Sequence, residues 1–247
     1  MARTALQRRL TWQAATVTAT TTETPTVRSL ELAVPDWPGH RAGQHLDVRL
    51  TAEDGYVAER SYSIASASGE PVSITVERLK DGEVSPYLTG EVRTGDKLEL
   101  RGPVGGYFVW EEDKRTPLLL VAGGSGVVPL RAIIRQRQRS GSDTPVRLLY
   151  SARTLPDVIY RDELDSYQDG VSVTYTLTRA RPPGWSGYAR RVDPTMLAEI
   201  AWPRREEPLA FVCGPTSFVE TVASGLVDLG YRPERVKTER FGGTGGK

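Results

Sequence analysis

Cysteine and histidine, side chains that often bind metals in proteins, are scarce in this sequence. It contains one cysteine, Cys213, and two histidines, His40 and His45. A single cysteine excludes an intrachain disulfide and any iron–sulfur cluster or structural zinc site with cysteine ligands from this chain alone. The histidines lie in a turn-rich stretch away from the other candidate residues, and we interpret both as structural, with no metal site. Any redox chemistry must therefore come from an organic cofactor.

Long apolar runs and an excess of one charge are also missing. The longest stretch without a charged residue, 116–130, has 15 residues and includes three glycines and two prolines, so it is too short and too broken to cross a bilayer. The N-terminal MARTALQRRL lacks the apolar core of a secretion signal. The net charge of +1 argues against nucleic-acid binding by a strongly basic domain. We expect a cytoplasmic protein that binds neither membranes nor nucleic acids.

The 247 residues are enough for two domains, and the two halves of the chain differ in pattern. Residues 8–112 alternate short β-type runs with turn signals such as Asp54-Gly55 and Asp81-Gly82. The runs cover 14–20, 29–34, 45–50, 61–65, 72–79 and 97–101. Many short strands with glycine and proline between them predict an antiparallel barrel or sandwich, with one short helix at 85–90.

Residues 116–241 change to a strand–loop–helix pattern. The apolar run Leu118–Ala122 is typical of a central parallel strand that is buried on both faces. Further strands are predicted at 146–151, 171–177 and 209–213, and helices at 127–139, 160–167, 194–200 and 216–229. This alternation predicts an open α/β sheet, with the domain boundary near 111–116. The glycine-rich segment 242–247 is expected to be a flexible tail.

A glycine-rich turn follows the first strand of the α/β half. Its sequence, Gly123-Gly124-Ser125-Gly126, matches neither the G-x-G-x-x-G fingerprint nor the P-loop. Before a helix N-terminus such a turn can bind a phosphate, although a tight turn without a ligand explains it about as well. Cys213-Gly214-Pro215 and Ser151–Thr154 also follow strands, and α/β sheets bind their ligands at the carboxyl ends of strands. We therefore expect a ligand crevice there.

Two arginines, Arg153 and Arg179, follow strands of the α/β half. A guanidinium group suits a 2′-phosphate on ribose, because it donates two hydrogen bonds in a fixed plane. Pairing with a nearby carboxylate, such as Asp157 or Asp162 for Arg153, explains the arginines equally well. Both interpretations stay open.

Five segments, in the family's order, resemble motifs of the ferredoxin–NADP reductase superfamily. They are Arg60-Ser61-Tyr62-Ser63, Gly82-Glu83-Val84-Ser85, Gly123–Pro129, Cys213-Gly214-Pro215 and Glu239-Arg240-Phe241. In turn they resemble the R-x-Y-S and G-x-x-S flavin motifs, the nicotinamide-nucleotide loop, the C-G-P motif and the C-terminal Glu-x-aromatic ending. Here Phe241 is not the last residue, which departs from members that stop at the aromatic residue. The similarity covers residues 11–241.

The resemblance implies a β-barrel domain that binds flavin over 8–112 and a Rossmann-like parallel-sheet domain that binds the nucleotide over 116–241. The implied FAD-binding residues are Arg60, Ser61, Tyr62, Ser63, Thr75, Val76, Glu77, Gly82, Glu83, Val84, Ser85 and Phe241. The implied NAD(P)-binding residues are Gly124, Ser125, Gly126, Arg153, Arg179, Cys213, Gly214 and Pro215. FAD is favoured over FMN, because Gly82–Ser85 precedes a helix that suits a pyrophosphate.

The implied catalytic residues are Ser63, Cys213 and Glu239. Ser63 would lie near flavin N5, and Cys213 and Glu239 beside the nicotinamide. Tyr62 and Phe241 would stack on opposite faces of the flavin ring.

The implied activity is transfer of a hydride from NADH or NADPH to FAD, and then of single electrons to a ferredoxin or another iron–sulfur or oxygenase protein. The chain lacks the four cysteines of members that carry their own iron–sulfur domain. Two alternatives stay open: a reductase of diffusible flavin or quinone without a protein partner, and a non-catalytic flavin- or nucleotide-sensing module. A monomer is expected.

The predicted helix 127–139 carries four arginines, Arg131, Arg135, Arg137 and Arg139. They suit electrostatic docking of an acidic ferredoxin. A solvated helix face explains them as well, and we slightly favour that second interpretation.

Overall fold

The computed structural model describes residues 10–112 and 116–242. The first half contains strands β1 (Gln13–Thr24), β2 (Val27–Ala33), β3 (His45–Thr51), β4 (Val57–Ser63), β5 (Val72–Glu77) and β6 (Lys97–Val104), with helix α1 (Val84–Gly90) between β5 and β6. The strands form a six-stranded antiparallel sheet in the order β4-β3-β6-β1-β2-β5. A bridge from Ile64 to Ile74 joins the two outer strands, so the sheet closes. The predicted antiparallel barrel is confirmed.

The barrel closes around alternate apolar side chains. In β3, Leu46 and Val48 are fully buried, whereas His45 and Asp47 beside them are only half-buried. Strand β4 begins at Val57, four residues before the start predicted for it. Its first half is exposed except for Ala58, and it is held in the sheet by pairing with β3 along its whole length. That pairing is a tertiary contact without a local sequence signal.

The second half contains strands β7 (Leu118–Gly123), β8 (Val146–Ala152), β9 (Val171–Leu177), β10 (Leu209–Pro215) and β11 (Val236–Phe241), with helices α2 (Val127–Arg139), α3 (Arg161–Ser166), α4 (Pro194–Ile200) and α5 (Thr216–Asp228). The five strands are parallel, in the order β11-β10-β7-β8-β9. From β7 the chain proceeds first to one side of the sheet and later to the other. This change of direction opens a crevice between the carboxyl ends of β7 and β10. The predicted open α/β sheet is confirmed.

Strand β11 has no counterpart among the predicted strands. It lies at the edge of the sheet, parallel to β10, and its sequence Val-Lys-Thr-Glu-Arg-Phe is mostly polar. A short edge strand with polar side chains carries almost none of the apolar signal by which buried strands are found. The family resemblance marked only its last three residues. None of the helices in the described residues is long and apolar enough to cross a membrane.

Three of the four arginines of α2 lie at the interface between the two halves. Arg135 donates to Glu70 of the barrel half at 2.8 Å, and Arg131 donates to the carbonyl oxygen of Ala65 at 3.1 Å. Arg137 is buried and donates to backbone carbonyl groups of its own half. Arg139 lies 3.8 Å from the Glu70 carboxylate. The solvated-face interpretation is therefore wrong for Arg131 and Arg137, whereas Arg139 is exposed; the docking interpretation stays a prediction.

Replacing Glu70 by glutamine is expected to lower the free energy of unfolding at pH 7 by about 1 kcal/mol. Burial raises the pKa of Glu70, but hydrogen bonds from Arg135 and the Ala67 amide and the nearby arginine charges outweigh it and hold the pKa below its usual value. A carboxyl group with a lowered pKa stabilises the fold above its unfolded-state pKa, and the stabilisation disappears as pH falls through the lowered value. Urea unfolding of wild type and Glu70→Gln should therefore differ at pH 7 and converge in acid.

The exposed pair of Arg49 and Glu99 provides the control. Glu99→Gln removes the carboxylate of a pair on the barrel surface, where the cost is smaller than at the interface. An equal loss of unfolding free energy in Glu70→Gln and Glu99→Gln would contradict the role of Glu70 as an interface contact.

Candidate active site between the two halves

The turn from β7 into α2 leaves an open anion site. Gly124 has φ of +55°. A Cβ placed on Gly124 would have open space around it, because the nearest atom, Glu77 Oε2, would lie 4.0 Å away. Among the described residues no side chain caps the 3-10 turn Gly124–Gly126 or the N-terminus of α2 after it. The Val127 amide donates to the carbonyl oxygens of Gly124 and Ser125, so the amide groups offered to a ligand are those of the turn itself. Pro129 occupies the first turn of α2, where its missing N–H costs nothing. The geometry suits the phosphates of a nucleotide.

The carboxyl ends of β7 and β10 approach so closely that only glycine fits. A Cβ on Gly126 would lie 2.1 Å from the carbonyl oxygen of Cys213. A Cβ on Gly214 would lie 2.7 Å from the ring of Phe218 and 3.2 Å from the Cα atom of Gly123. The predicted segments Gly123–Gly126 and Cys213-Gly214-Pro215 therefore meet at one end of the sheet, as expected for a ligand crevice.

Three titratable side chains meet where β10 and β11 face the barrel. Cys213 is paired with Glu239 in the sheet register, and its Sγ lies 4.0 Å from Glu239 Oε2. The other carboxylate oxygen, Oε1, lies 3.8 Å from His45 Nδ1 of the barrel. Burial raises the pKa of Glu239 to about 7. Burial, and then the Glu239 carboxylate, raise the pKa of the Cys213 thiol, so it stays protonated at neutral pH.

His45 is a site residue that sequence reasoning missed. It was interpreted as structural and remote, but it lies across from Ser63 in the register of β3 and β4 and beside Glu239 of β11. Burial lowers its pKa, so the imidazole is neutral at pH 7. The local sequence contains no signal for this position, because the contact joins two domains. The described residues contain no group of three or more His, Cys, Asp or Glu side chains that could hold a metal.

The barrel side of the site carries Ser63 and Tyr62 at the end of β4. Ser63 is half-buried, and Tyr62 packs against the barrel core, where burial raises its pKa to about 12 and keeps the phenol neutral. Phe241, at the end of β11, packs against the core of the α/β half. The two rings thus belong to opposite sides of the interface. Ser61, next to Tyr62, donates to Asp47 at 2.6 Å.

The other flavin residues form two groups further along the barrel. Arg60 is exposed and forms an ion pair with Glu83 at 3.1 Å. Ser85 is buried near the start of α1, and its Oγ accepts from the Leu79 amide at 3.0 Å. A Cβ on Gly82 would lie 2.9 Å from that Oγ, which explains glycine there. Val84, between them, is buried in the barrel core.

The segment Thr75–Glu77 offers a backbone edge. These residues pair with β2 on one side, and among the described residues no strand pairs with them on the other side beyond the Ile74 bridge. The Val76 side chain is buried in the barrel core and cannot contact a ligand, so this residue can contribute only its backbone. Thr75 and Glu77 point outward, towards the α/β half.

The two candidate arginines are brought together. The Arg179 amide donates to the carbonyl oxygen of Arg153 at 2.9 Å, and both side chains are exposed. In the part of the chain that is described, neither forms an ion pair; Asp157 instead accepts a hydrogen bond from Thr154 at 2.6 Å. The carboxylate-pairing interpretation is therefore wrong, and the guanidinium groups are free to meet an anion.

Known proteins match both halves of the chain. The oxidoreductase FAD-binding domain model matches residues 14–109, and the oxidoreductase NAD-binding domain model matches residues 120–224. Ferredoxin–NADP reductase B from Sorangium cellulosum is 35% identical over 230 residues, which cover 88% of this chain and 92% of that protein. The chain belongs to the ferredoxin–NADP reductase family. The predicted NAD(P)H-dependent flavoprotein reductase, with FAD and NAD(P)H as cofactors, is confirmed.

Two further comparisons place this reductase among its relatives. The glycine betaine monooxygenase reductase subunit of Chromohalobacter salexigens is 32% identical over 213 residues, and the chain spans only 56% of its length. The flavohem-like FAD/NAD-binding domain of nitric oxide dioxygenase from Vibrio cholerae O1 biovar El Tor has a TM-score of 0.83 at 26% identity, covering 94% of this chain and 99% of that one. The open glycine turn, the uncapped α2 and the free edge of β5 fit the two cofactors.

The pH dependence of the reductase's stability should report on Glu239. Its folded-state pKa of about 7 lies above the ordinary value of 4.5, so the folded state binds the proton more tightly than the unfolded state. The resulting stabilisation is complete below pH 4.5 and is lost as pH rises through about 7, a change of about 3 kcal/mol. Glu239→Gln should flatten this decline in urea unfolding between pH 5 and 8. An unchanged slope would mean that another group titrates, with His45 and Cys213 the neighbours to examine.

Proposed function

We propose that this reductase takes a hydride from NADPH and delivers single electrons to a separate iron–sulfur or oxygenase protein. Two observations support the acceptor: relatives that match the chain are named as reductase components of oxygenase systems, and one cysteine cannot hold an iron–sulfur cluster. The next redox centre would therefore lie outside these 247 residues. The expectation of a monomer stays a prediction.

In the proposed site, the barrel holds the flavin and the α/β half holds the nucleotide. When bound, FAD accepts the hydride of NAD(P)H and passes electrons on singly. Arg60 and the start of α1 would bind the flavin phosphates, which requires Arg60 to exchange its partner Glu83 for a phosphate. Tyr62 and Phe241 would cover the two faces of the ring. Ser63 would hold a hydrogen bond at flavin N5.

The α/β half would bind the nucleotide along the carboxyl ends of its strands. The turn Gly124–Gly126 would receive the pyrophosphate, and Cys213-Gly214-Pro215 would border the nicotinamide. Because its thiol stays protonated, Cys213 would shape the pocket rather than act as a nucleophile. Glu239 and His45 would hold a proton between them at the open side of the site. We propose domain limits of 8–112 and 116–241; residues 8, 9, 113–115 and the tail residues 243–247 lie outside the described residues.

The function is tested by anaerobic absorbance measurements on the flavin-loaded protein. NADPH should bleach the flavin band, and an added iron–sulfur ferredoxin should restore it at a rate that depends on ferredoxin concentration. Recovery with quinone or free flavin but not with ferredoxin would support the reductase without a protein partner. A flavin band that neither NADPH nor NADH bleaches would indicate a sensing module instead.

Arg153→Ala combined with Arg179→Ala tests the choice of nucleotide. Two free guanidinium groups at the strand ends support binding of a 2′-phosphate, and NADH lacks that group. The double variant should raise KM for NADPH about tenfold, since charged hydrogen bonds are lost, and leave KM for NADH unchanged. Equal changes for both nucleotides would contradict the assignment.

A further inference from the structure

Tyr160 has a backbone conformation that needs an explanation. It ends the loop 153–160 between β8 and α3, which begins with the candidate nucleotide-binding residue Arg153. Its φ is +59°, a region that residues other than glycine occupy rarely and at a cost in free energy. The side chain is nevertheless buried. Such strain persists only where surrounding contacts stabilise it.

The hydroxyl group of Tyr160 reaches across to the barrel. It donates a hydrogen bond to Thr75 Oγ1 on β5, in the segment proposed to bind flavin. The Thr75 hydroxyl lies 2.7 Å from Ser29 Oγ, and Ser29 donates to Glu23 at 2.6 Å. Because a carboxylate only accepts hydrogen bonds, Ser29 donates its hydroxyl proton to Glu23. The hydrogen bond between Thr75 and Ser29 must therefore be donated by Thr75. The chain therefore runs in one direction, from Tyr160 to Glu23.

The ring of Tyr160 is held as well. The guanidinium carbon of Arg131 lies 4.4 Å from the ring centroid, a cation–π contact. Arg131 also donates to the Ala65 carbonyl oxygen of the barrel and pairs with Glu163 of α3. The end of the loop is thus fixed to the barrel by two independent contacts.

We propose that Tyr160 is a positioning residue that fixes the nucleotide-binding loop 153–160 against flavin strand β5. The inference rests on the proposed nucleotide site, since it assigns this loop to the nucleotide. A loop that is ordered before binding loses less conformational entropy when the nucleotide arrives. Tyr160 would therefore support nucleotide affinity without contacting the reacting atoms.

Tyr160→Phe tests this role because it keeps the ring and removes only the hydroxyl. We expect KM for NADPH to rise about fivefold, the effect of one net hydrogen bond, while kcat and flavin content stay close to wild type. Thr75→Val removes the same bond from the barrel side, together with the contact between Thr75 and Ser29, and should raise KM for NADPH at least as far. Because Thr75 lies in the proposed flavin segment, flavin content is measured for this variant separately. Adding Tyr160→Phe to Thr75→Val should raise KM no further, because the bond between the two hydroxyl groups is already lost in Thr75→Val.

Tyr231→Phe is the matched control. Tyr231 is also buried, but its hydroxyl donates to the Trp202 carbonyl oxygen within the α/β half. It should lower thermal stability as Tyr160→Phe does and leave KM unchanged. A purely structural role for Tyr160 would give the same result as this control and would overturn the proposal.

Two other results would also overturn it: additive changes in KM in the double variant, or loss of flavin from Tyr160→Phe. The proposed nucleotide site has a separate test. If it is wrong, Arg153→Ala with Arg179→Ala leaves KM for NADPH unchanged, whatever Tyr160→Phe does. If only the positioning role is wrong, the arginine variant raises KM and Tyr160→Phe does not.

Discussion

Ser63→Ala is expected to slow hydride transfer from NADPH about a hundredfold, the range seen when a positioned proton donor or acceptor is removed. Flavin should remain bound, because Arg60, the ring contacts and the free edge of β5 are untouched. The reason for the rate effect is position: Ser63 ends β4 at the domain interface, opposite His45 in the sheet register. Anaerobic stopped-flow bleaching of the flavin band measures the rate, and the absorbance ratio of flavin to protein measures its content.

Ser63→Thr is the conservative control for this prediction. It keeps a hydroxyl on the same strand position, and its extra methyl group suits a β-strand. We expect a rate within a few-fold of wild type. If the flavin of Ser63→Ala is bleached at the wild-type rate, the hydroxyl has no part in hydride transfer. Loss of flavin from this variant would instead assign Ser63 to flavin binding.

Gly126→Ala is expected to weaken nucleotide binding at least about a hundredfold. An alanine Cβ would lie 2.1 Å from the Cys213 carbonyl oxygen and 2.8 Å from the Gly214 amide nitrogen, so the backbone must move. That movement separates the first turn of α2 from the end of β10, the two elements that border the nucleotide crevice. The atoms nearest to the added Cβ belong to Cys213 and Gly214 of the α/β half rather than to the barrel, so flavin content should stay normal.

Gly90→Ala provides the matched glycine substitution. Gly90 ends α1, its φ is not positive, and no atom of the described residues lies within 4 Å of the added Cβ. Alanine should therefore be tolerated there, with nucleotide binding at the wild-type level by flavin absorbance titration. A Gly126→Ala protein that binds NADPH normally would contradict the close packing of β7, α2 and β10 as a requirement of the site.

The local sequence pattern predicted the helices and strands whose buried apolar residues recur at a regular spacing. Helix α2 was predicted over 127–139 and strand β9 over 171–177, and both have those bounds. The apolar residues of α2 recur at helical spacing, and those of β9 form a short β-type run, so the sequence itself carries the signal for both elements. The first half of β4 and the whole of β11 were missed, because their polar residues are held by neighbouring strands rather than by local preference.

The sequence by itself determined the two-domain plan, the glycine turn and the identity of the motif residues, because each depends on residues close together in the chain. Only the tertiary structure decided which distant side chains meet. His45 lies beside Glu239 although 194 positions separate them, and Arg135 of α2 donates to Glu70 of the barrel half. Such contacts depend on how two domains are oriented against each other, and burial there, not residue type, raises the pKa of Glu239 to about 7.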